Sequence, residues 1–489
     1  MNTQNTLHAV GLSALAILAI SLGACKRDRT LNIPAPSNQP TTTTVGVRTS
    51  YADVVSRVSP AVVTIRTQTR VRSPQQFPFS DDPFFRRFFG ERAPQQPDQR
   101  TSGLGSGVIV TSDGYILTNH HVIDGADQIK VDLGDQRSID AKLVGSDPPS
   151  DLAVLKIDRN ELGALALADS DKVQVGDVVL AVGNPLGVGQ TVTMGIISAK
   201  GRRTGLSNGS FEDFLQTDAP INRGNSGGAL VDTNGDLVGI NSQILSPSGL
   251  SIGIGFAIPS NMARDVLDQL VKNGKVRRGH LGIVVQPLTE DIAATLGLSS
   301  AKGVIVSQVQ PGSAAERAGL RQADVITALN GNEVVDPNSF RNEIAGTQPG
   351  STVTLRIVRG GSERELRATL GEFVPERAAA RSENNDSPNI PPSNDGRLGL
   401  AVQPLTPELA RQLGVGNDTQ GVVVMRVDPA GPAAAAGISQ GDVIEQVNQQ
   451  PVRSVEDVRA ALERSGSGPV LLLVNHRGTR LFVTVRPRQ

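Results

Sequence analysis

Short apolar runs alternate with turns rich in glycine, asparagine and aspartate from Tyr51 to about Pro259. Two of these turns, Ser112-Asp113-Gly114 and Thr233-Asn234-Gly235-Asp236, lie between alternating apolar stretches and predict β-hairpins. A long series of such strands predicts a β-barrel or a pair of barrels. The spacing then changes to that of a helix, which Ser260 can cap and Gly274 ends. Its apolar stripe consists of Met262, Val266, Leu267, Leu270 and Val271.

The rest of the chain contains an internal duplication. The segment from Gly303 to Asn330 matches the segment from Gly421 to Asn448 at an offset of 118 residues. Upstream, Leu281-Gly282 matches Leu398-Gly399 at an offset of 117. Two copies of one unit indicate a duplicated domain and not a solenoid, which needs more repeats. A polar, proline-rich segment between the copies is typical of a linker.

The N-terminus has the pattern of an export signal. An apolar run of 13 residues, Val10 to Leu22, suits a secretory signal and is short for a membrane-spanning helix. It is followed by Leu22-Gly23-Ala24-Cys25, which resembles the bacterial lipobox, in which the cysteine is lipidated after cleavage. Residues 1–24 are therefore predicted to be a signal peptide, with Cys25 as the lipidation site. Ordinary cleavage after Ala24 and an uncleaved anchor are the alternatives, because Met1 to Ala9 contains no lysine or arginine. Residues 25–50 have the composition of a flexible tether.

Composition excludes several classes of function. The chain has 489 residues, enough for about three domains, and its 47 basic residues nearly balance its 48 acidic ones. No single-sign field therefore points to nucleic acid, and a peptide or protein partner is expected. With one cysteine and no histidine pair at helical zinc spacing, neither a disulfide within the chain nor a metal site is predicted. The glycine-rich segments 103–107 and 183–187 lack the context of a phosphate-binding loop, so no nucleotide or other cofactor is expected.

The strongest chemical signal is Asn222-Arg223-Gly224-Asn225-Ser226-Gly227-Gly228. A serine hydroxyl becomes a useful nucleophile when a turn presents it beside a base and near N–H groups that can bind an oxyanion. Glycines on both sides of Ser226 permit that turn. The N–H groups of Gly224 and Ser226 are the candidate oxyanion donors, and Asn225 shapes the loop between them.

Thr118-Asn119-His120-His121 supplies two candidate bases at the end of a predicted strand. Adjacent strand residues point to opposite faces, so only one of the two histidines can face the serine, and the residues alone do not say which. The orienting carboxylate is better supplied by Asp151, at the start of the apolar strand Leu152-Ala153-Val154-Leu155, than by Asp147, which precedes two prolines.

Taken together, these motifs resemble the HtrA (Deg) family of trypsin-like serine proteases from about Tyr51 to the C-terminus. The family order is kept by SGVIVTSDGYILTNHHVI, SDPPSDLAVLKI, GNPLGVGQTVTMGIIS and QTDAPINRGNSGGALVDTNGDLVGINSQI. The resemblance implies a mostly β fold, with a trypsin-like double β-barrel over 51–274 and two α+β PDZ domains over 279–372 and 397–488, joined by a linker at 373–396. It selects His121 as the base, Asp151 as its partner and Ser226 as the nucleophile.

The resemblance also implies how substrate is handled. Gly224 and Asn225 would contact substrate, together with the segment Ser242, Gln243, Ile244, Leu245 and Ser246. This lining lacks an acidic residue, which suggests cleavage after small aliphatic residues. The Phe-rich segment 75–100 resembles the family's long regulatory loop, and docking on its own barrel is the alternative. It holds six of the chain's twelve phenylalanines: Phe77, Phe79, Phe84, Phe85, Phe88 and Phe89.

Each PDZ domain would capture a peptide C-terminus with its carboxylate loop; a β-rich linker domain is the alternative. The loop residues are His280, Leu281, Gly282 and Ile283 in the first copy and Arg397, Leu398, Gly399 and Leu400 in the second. The expected function is an ATP-independent endopeptidase of the periplasm that degrades unfolded envelope proteins, as a homotrimer or a multiple of it. A catalytically weak chaperone or scaffold and a membrane-anchored signalling protease are the alternatives.

Overall fold

The computed structural model describes residues 49–71, 99–135, 137–184, 189–204, 211–222, 224–244, 251–374, 393–395, 397–416, 419–466 and 468–488. The predicted signal peptide, Cys25, nearly all of the tether, most of the Phe-rich segment and most of the linker lie outside these residues. Among the residues that the structure describes, strands make up 41% and helices 21%, which confirms the prediction of a mostly β protein. In the part of the chain that the structure describes, no helix is long and apolar enough to cross a membrane.

A seven-stranded antiparallel sheet follows a short helix, α1 (Ala52–Val58). Gly114, at a φ of +99°, turns the chain between the second and third strands, so the hairpin predicted there is confirmed. The strands are Val62–Val71 (β1), Gln99–Ile109 (β2), Tyr115–Thr118 (β3), Gln128–Asp132 (β4), Ser138–Asp140 (β5), Lys142–Asp147 (β6) and Leu152–Lys156 (β7). Their order in the sheet is β5-β4-β1-β2-β3-β7-β6.

The next six strands close into a barrel in the order β10-β13-β12-β11-β8-β9. The second predicted hairpin is confirmed, with Gly235 at a φ of +85° between paired strands. Alternate strand residues fill the barrel, and aliphatic side chains such as Leu230 and Ile197 are fully buried. The strands are Val178–Gly183 (β8), Thr191–Arg202 (β9), Phe214–Thr217 (β10), Ala229–Val231 (β11), Leu237–Ile244 (β12) and Gly255–Pro259 (β13).

The helix predicted after the barrel is α3 (Ser260–Asn273), and the short helix α2 (His120–Ile123) precedes it in the chain. Gly274 ends α3 in the left-handed conformation, as predicted. The prediction that Ser260 caps the start of this helix is wrong: Ser260 is already helical, and its hydroxyl donates to the carbonyl of Ala168 at 2.8 Å. Val266 and Leu270 are buried in an apolar cluster that includes residues of both the seven-stranded sheet and the barrel, whereas Val271 is exposed.

The duplication predicted from sequence is visible element by element. From Val304–Val309 (β16) to Thr352–Arg359 (β19), each strand of the first copy begins 118 residues before its counterpart in the second, and the last pair of strands begins 117 residues apart. The first copy contains Gly279–His280 (β14), Ile283–Pro287 (β15), Val304–Val309 (β16), Val325–Leu329 (β17), Asn332–Glu333 (β18), Thr352–Arg359 (β19), Ser362–Thr369 (β20) and Gly371–Glu372 (β21), with helices Glu290–Thr295 (α4), Ala314–Arg317 (α5) and Pro337–Gly346 (α6). The second contains Leu400–Pro404 (β23), Val422–Val427 (β24), Val443–Val447 (β25), Gln450–Pro451 (β26), Val470–His476 (β27) and Thr479–Val485 (β28), with helices Pro407–Gln412 (α7), Pro432–Ala435 (α8) and Val455–Ser465 (α9).

The edges of the two sheets differ. In the first copy β15 is the outer strand of the sheet, whose order is β15-β16-β17-β19-β20. In the second copy the corresponding strand, β23, pairs antiparallel with Ser393–Asp395 (β22), which belongs to the segment between the copies. The edge of β23 is therefore occupied by the chain itself.

The two copies also pack against each other. Leu288, Ile292 and Ile305 of the first form one buried apolar cluster with Leu473 and Phe482 of the second. The side-chain amide of Gln286 donates to the carbonyl of Phe482 and accepts from its N–H, both at 2.8 Å.

Candidate active site

Asp151 follows a 3-10 turn, Pro148–Ser150, at the start of β7. The turn is capped by Asp147, whose carboxylate accepts from the N–H of Ser150 at 3.2 Å. Asp151 itself has a φ of +55°, a left-handed conformation that aspartate tolerates better than most residues. This turn directs the Asp151 carboxylate out of the strand and towards α2.

His121 is the histidine that faces Asp151. Its Nδ1 lies 2.9 and 2.8 Å from the two carboxylate oxygens, and its backbone N–H donates to the same carboxylate at 3.0 Å. The Nδ1 of His120 has no hydrogen-bond partner among the residues that the structure describes, and its Nε2 lies 3.8 Å from Asp124. The family motif thus selected the histidine that contacts the carboxylate.

The local structure predicted for these histidines is wrong. They do not end a strand; they open the helix α2, because Asn119 leaves β3 in an extended conformation and the chain then turns. Consecutive helical residues point about 100° apart and not to opposite faces. His120 therefore still lines the same cavity as His121.

Ser242 makes a contact that sequence reasoning missed. It was expected to line the substrate site, and it does line the cavity, but its hydroxyl also donates to Oδ2 of Asp151 at 2.8 Å. Asp151 thus receives hydrogen bonds from two sides, and Ser242 is almost completely buried. A polar residue inside the buried strand β12 was the available signal, since a buried hydroxyl needs a partner.

Glycines on both sides of Ser226 allow the turn its backbone shape and its close packing against Ser106. Gly224 and Gly227 have φ values of +97° and +82°, and a Cβ on Gly227 would lie 2.1 Å from the carbonyl oxygen of Ser106. Neither the N–H of Gly224 nor that of Ser226 donates a hydrogen bond to another described residue. The side chain of Asn225 is buried beneath the loop.

One cavity of about 570 Å³ collects most of the residues predicted from separate motifs, but Gly224 and Asn225 are not among the residues that line it. It is lined by His121, Asp151 and Ser226, together with Ser242, Gln243 and Ile244. Leu245 and Ser246 lie outside the described residues. Ile221, Ile258 and Met262 make part of its wall apolar.

Two acidic residues of the same wall were not predicted. Glu212 and Asp213 line the cavity, so the expectation of a lining without acidic residues is incomplete. The carboxylate of Glu212 is buried and accepts from the N–H of Thr204 at 2.6 Å. Burial, reinforced by Asp171 and Asp336, raises the pKa of Asp213 above its ordinary value.

A buried ion pair joins the turn before Asp151 to the first repeat. The guanidinium of Arg278 donates to both carboxylate oxygens of Asp147, at 2.6 and 2.5 Å, and both side chains are at most one tenth exposed. The guanidinium also lies over the ring of Phe211, 4.7 Å from its centroid. This two-point contact fixes the start of the first repeat against the barrel region.

The predicted carboxylate loop of the first repeat lines a separate cavity of about 280 Å³. His280, Leu281, Gly282 and Ile283 all contribute to it, and Gly282 has a φ of +81°. In the second repeat, Leu398 is buried and Gly399 has a φ of +72°. The side chain of Arg397 donates to carbonyls near the end of α9, at Leu462 and Gly466.

Comparison with known proteins agrees with this arrangement. Residues 105–240 match the trypsin-like peptidase domain, and 279–370 and 423–475 match PDZ domains. The chain is 42% identical over 456 residues to a probable periplasmic serine endoprotease, DegP-like, of Chlamydia trachomatis, covering 90% of this chain and 89% of that protein. It is 44% identical over 415 residues to the periplasmic pH-dependent serine endoprotease DegQ of Escherichia coli, covering 84% and 86%.

The chain is also similar to a solved structure of the HtrA-type protease AlgW with a decapeptide, at 49% sequence identity and a TM-score of 0.55. This match covers 67% of the present chain and 100% of the AlgW chain. The half-barrel, the closed barrel and the cavity that gathers a serine, a histidine and an aspartate thus occur in a chain that matches these proteases along most of its length. The chain belongs to the HtrA family of serine endoproteases, with a trypsin-like peptidase domain followed by two PDZ domains.

Proposed function

We propose that this protein is an ATP-independent endopeptidase that degrades unfolded or misfolded proteins of the cell envelope, with Ser226, His121 and Asp151 as its catalytic triad. The observation that carries the proposal is the contact of His121 Nδ1 with both oxygens of Asp151, at 2.8 and 2.9 Å, in the cavity that also holds Ser226. This contact leaves Nε2 of the imidazole as the nitrogen that can take a proton from the serine.

The geometry supports a mechanism of acyl transfer. His121 removes the proton of the Ser226 hydroxyl as its oxygen attacks a peptide carbonyl, and then gives that proton to the leaving amine. Asp151 stays ionised and stabilises the imidazolium, with Ser242 and the N–H of His121 holding its carboxylate. The N–H groups of Gly224 and Ser226, which donate to no other described residue, bind the oxyanion, and water then hydrolyses the acyl-enzyme.

Substrate is proposed to lie along Gly224 and the segment 242–246, with an aliphatic side chain entering the apolar part of the cavity. Ile221, Ile244 and Ile258 favour this preference. Glu212 does not supply a free carboxylate to a basic side chain, because its oxygens accept from Thr204. A library of peptides that differ only in the residue before the scissile bond tests the preference; faster cleavage after Lys or Arg than after Val or Ala would contradict it.

The PDZ domains are proposed to select what reaches the active site. In the first PDZ domain (PDZ1, residues 279–372), a peptide C-terminus can enter the cavity at 280–283 and add as a strand to β15. In the second (PDZ2, residues 397–488), the loop Arg397–Leu400 can bind a peptide C-terminus, and the peptide can pair with β23, once the strand Ser393–Asp395 leaves β23. Exported unfolded chains expose such C-termini.

The names of the relatives favour the periplasm as the location, and we propose the same for this chain, with export by residues 1–24. Lipidation of Cys25 would attach the protein to a membrane through the tether. A homotrimer or a multiple of it is the proposed assembly. Mass spectrometry of the N-terminus from envelope extracts tests the anchor, since an unmodified terminus after Ala24 excludes it.

Digestion of casein by the purified mature protein, compared with its Ser226→Ala variant, tests the enzymatic proposal. The wild type should degrade casein and the variant should not; equal rates would overturn the assignment. The chaperone alternative predicts that Ser226→Ala still suppresses aggregation of a heat-unfolded substrate protein. A signalling protease would instead cleave few proteins and leave casein intact.

A further inference from the structure

We propose that Ser106 is a positioning residue of the peptidase reaction, whose hydroxyl fixes the backbone that presents the oxyanion-binding N–H groups. This inference rests on the proposed function, because it assigns those groups to Gly224 and Ser226. Ser106 lies in β2, is completely buried, and does not line the catalytic cavity. Its hydroxyl donates to the carbonyl of Gly224 at 2.6 Å.

The orientation of this hydroxyl is set by a second bond. The backbone N–H of Asn184 donates to Oγ of Ser106 at 2.9 Å. Since that contact uses the acceptor side of the hydroxyl, the O–H hydrogen remains directed at Gly224. Asn184 is itself held, because its side chain donates to Thr64 at 2.6 Å and accepts from the N–H of Gly189 at 3.1 Å.

The bond matters because Gly224 is a glycine. With no Cβ, this residue can rotate between very different backbone conformations at little cost. The peptide unit between Gly224 and Asn225 is fixed at both ends: Ser106 binds its carbonyl, and its N–H donates to the carbonyl of Asn222 at 3.0 Å. Without the hydroxyl, one end of this peptide unit is free, so Gly224 can change its backbone angles and with them the direction of its own N–H relative to that of Ser226.

The backbone of Ser106 holds the other side of the same turn. Its N–H donates to the carbonyl of Ser226 at 2.9 Å, and its carbonyl accepts from the Thr118 hydroxyl at 2.7 Å. Gly227 lies directly against that carbonyl. One residue of β2 therefore contacts the turn on both sides of the nucleophile, and only its hydroxyl can be removed without disturbing the backbone contacts.

The test compares Ser106→Ala with a matched control, Ser260→Ala. Ser260 is also a completely buried serine whose hydroxyl donates to a backbone carbonyl, that of Ala168, but it contacts neither Asn184 nor the oxyanion loop and does not line the catalytic cavity. For each variant, kcat and KM are measured with a peptide substrate, together with inhibition by a peptidyl boronic acid. The boronate forms a tetrahedral adduct that places an oxygen at the oxyanion site, so its affinity reports on transition-state binding.

Removing one oxyanion donor outright typically lowers kcat by about 10²–10³-fold, so displacing one should cost about 10–100-fold. We expect that loss in kcat for Ser106→Ala, a KM within about threefold, and a similar weakening of boronate inhibition. Ser260→Ala should keep kcat and boronate affinity within about threefold at a comparable melting temperature. If Ser106→Ala does not fold, Ser106→Cys carries the test, since a thiol fills the space but donates weakly.

Unchanged kcat in the Ser106 variants overturns the proposal, and so does an equal loss in Ser260→Ala, which would indicate a general effect of removing a buried hydroxyl. Failure of the proposed function looks different. In that case the wild type would cleave no faster than Ser226→Ala, and the boronate would inhibit neither.

Discussion

The ion pair between Arg278 and Asp147 allows a quantitative prediction about how PDZ1 is held to the protease domain. Arg278→Met keeps the length of the side chain but leaves the Asp147 carboxylate, which is 6% exposed, without a cation. Removing one partner of a buried pair costs about 3–5 kcal/mol, because the other charge stays desolvated. The lower end applies here, since Asp147 keeps its hydrogen bonds from Ser150.

A loss of about 3 kcal/mol corresponds to a fall of roughly 6–12 °C in the melting temperature of a domain of this size. Differential scanning calorimetry in a Ser226→Ala background measures it without self-digestion. The double variant Arg278→Met/Asp147→Asn should recover most of the loss, because a neutral amide replaces the unpaired charge. A melting temperature for Arg278→Met within about 2 °C of the parent would refute the reasoning, and so would a double variant no more stable than the single one.

Further predictions concern Asp151, its neighbour Ser242, the cavity carboxylate Asp213 and the strand on PDZ2. Asp151→Asn should lower kcat by about 10⁴-fold with the fold intact, since asparagine tolerates the left-handed backbone but stabilises the wrong imidazole tautomer; near-normal kcat would contradict the role. Ser242→Ala should cost about 10–100-fold in kcat/KM, as expected for a lost hydrogen bond to a charged group; a loss below twofold would argue against it. The pKa of Asp213 is raised in the folded protein, so at a pH between its ordinary and its raised pKa the native state binds more protons than the unfolded state. The free energy of unfolding therefore falls as the pH rises through that range. Asp213→Asn should therefore raise the melting temperature at neutral pH, by a margin that shrinks on acidification; a margin independent of pH would contradict this. Replacing residues 393–395 with proline should free the edge of β23 and reveal a second site in titrations of Ser226→Ala with a C-terminal peptide; a single site in both proteins would oppose it.

The sequence predicted the strands, both hairpins and the duplication, because these depend on local alternation and on glycines that the turns require. It failed where a residue's role depends on a distant partner. Ser260 has the chemistry of a helix cap, yet its hydroxyl bonds to Ala168, 92 residues away in the chain. The conformation of His120 and His121 was mistaken because a strand and a short helix both suit such a brief polar segment.

In the candidate site, too, local sequence signals were predicted correctly and contacts with distant residues were not. The serine was found from loop chemistry alone, but choosing His121 over His120 depended on a family motif, and the structure supplies the reason in the contact with Asp151. Ser106 was considered only as part of a glycine-rich segment, and its bond to Gly224 joins residues 118 positions apart. Glu212 and Asp213 could not be placed in the cavity from sequence, since neither belongs to a recognisable motif.

The amide of Gln286, which binds both backbone groups of Phe482, has a consequence for the behaviour of the protein in a crowded compartment. β28 is the last strand of its sheet, and an outer strand with free N–H and C=O groups is a template on which another chain can aggregate. At Phe482 both groups are already used, while at the opposite side of the sheet β23 is covered by the chain's own strand. The sheet therefore offers other chains little free strand edge at Phe482 and along β23, and pairing with them is disfavoured at these places.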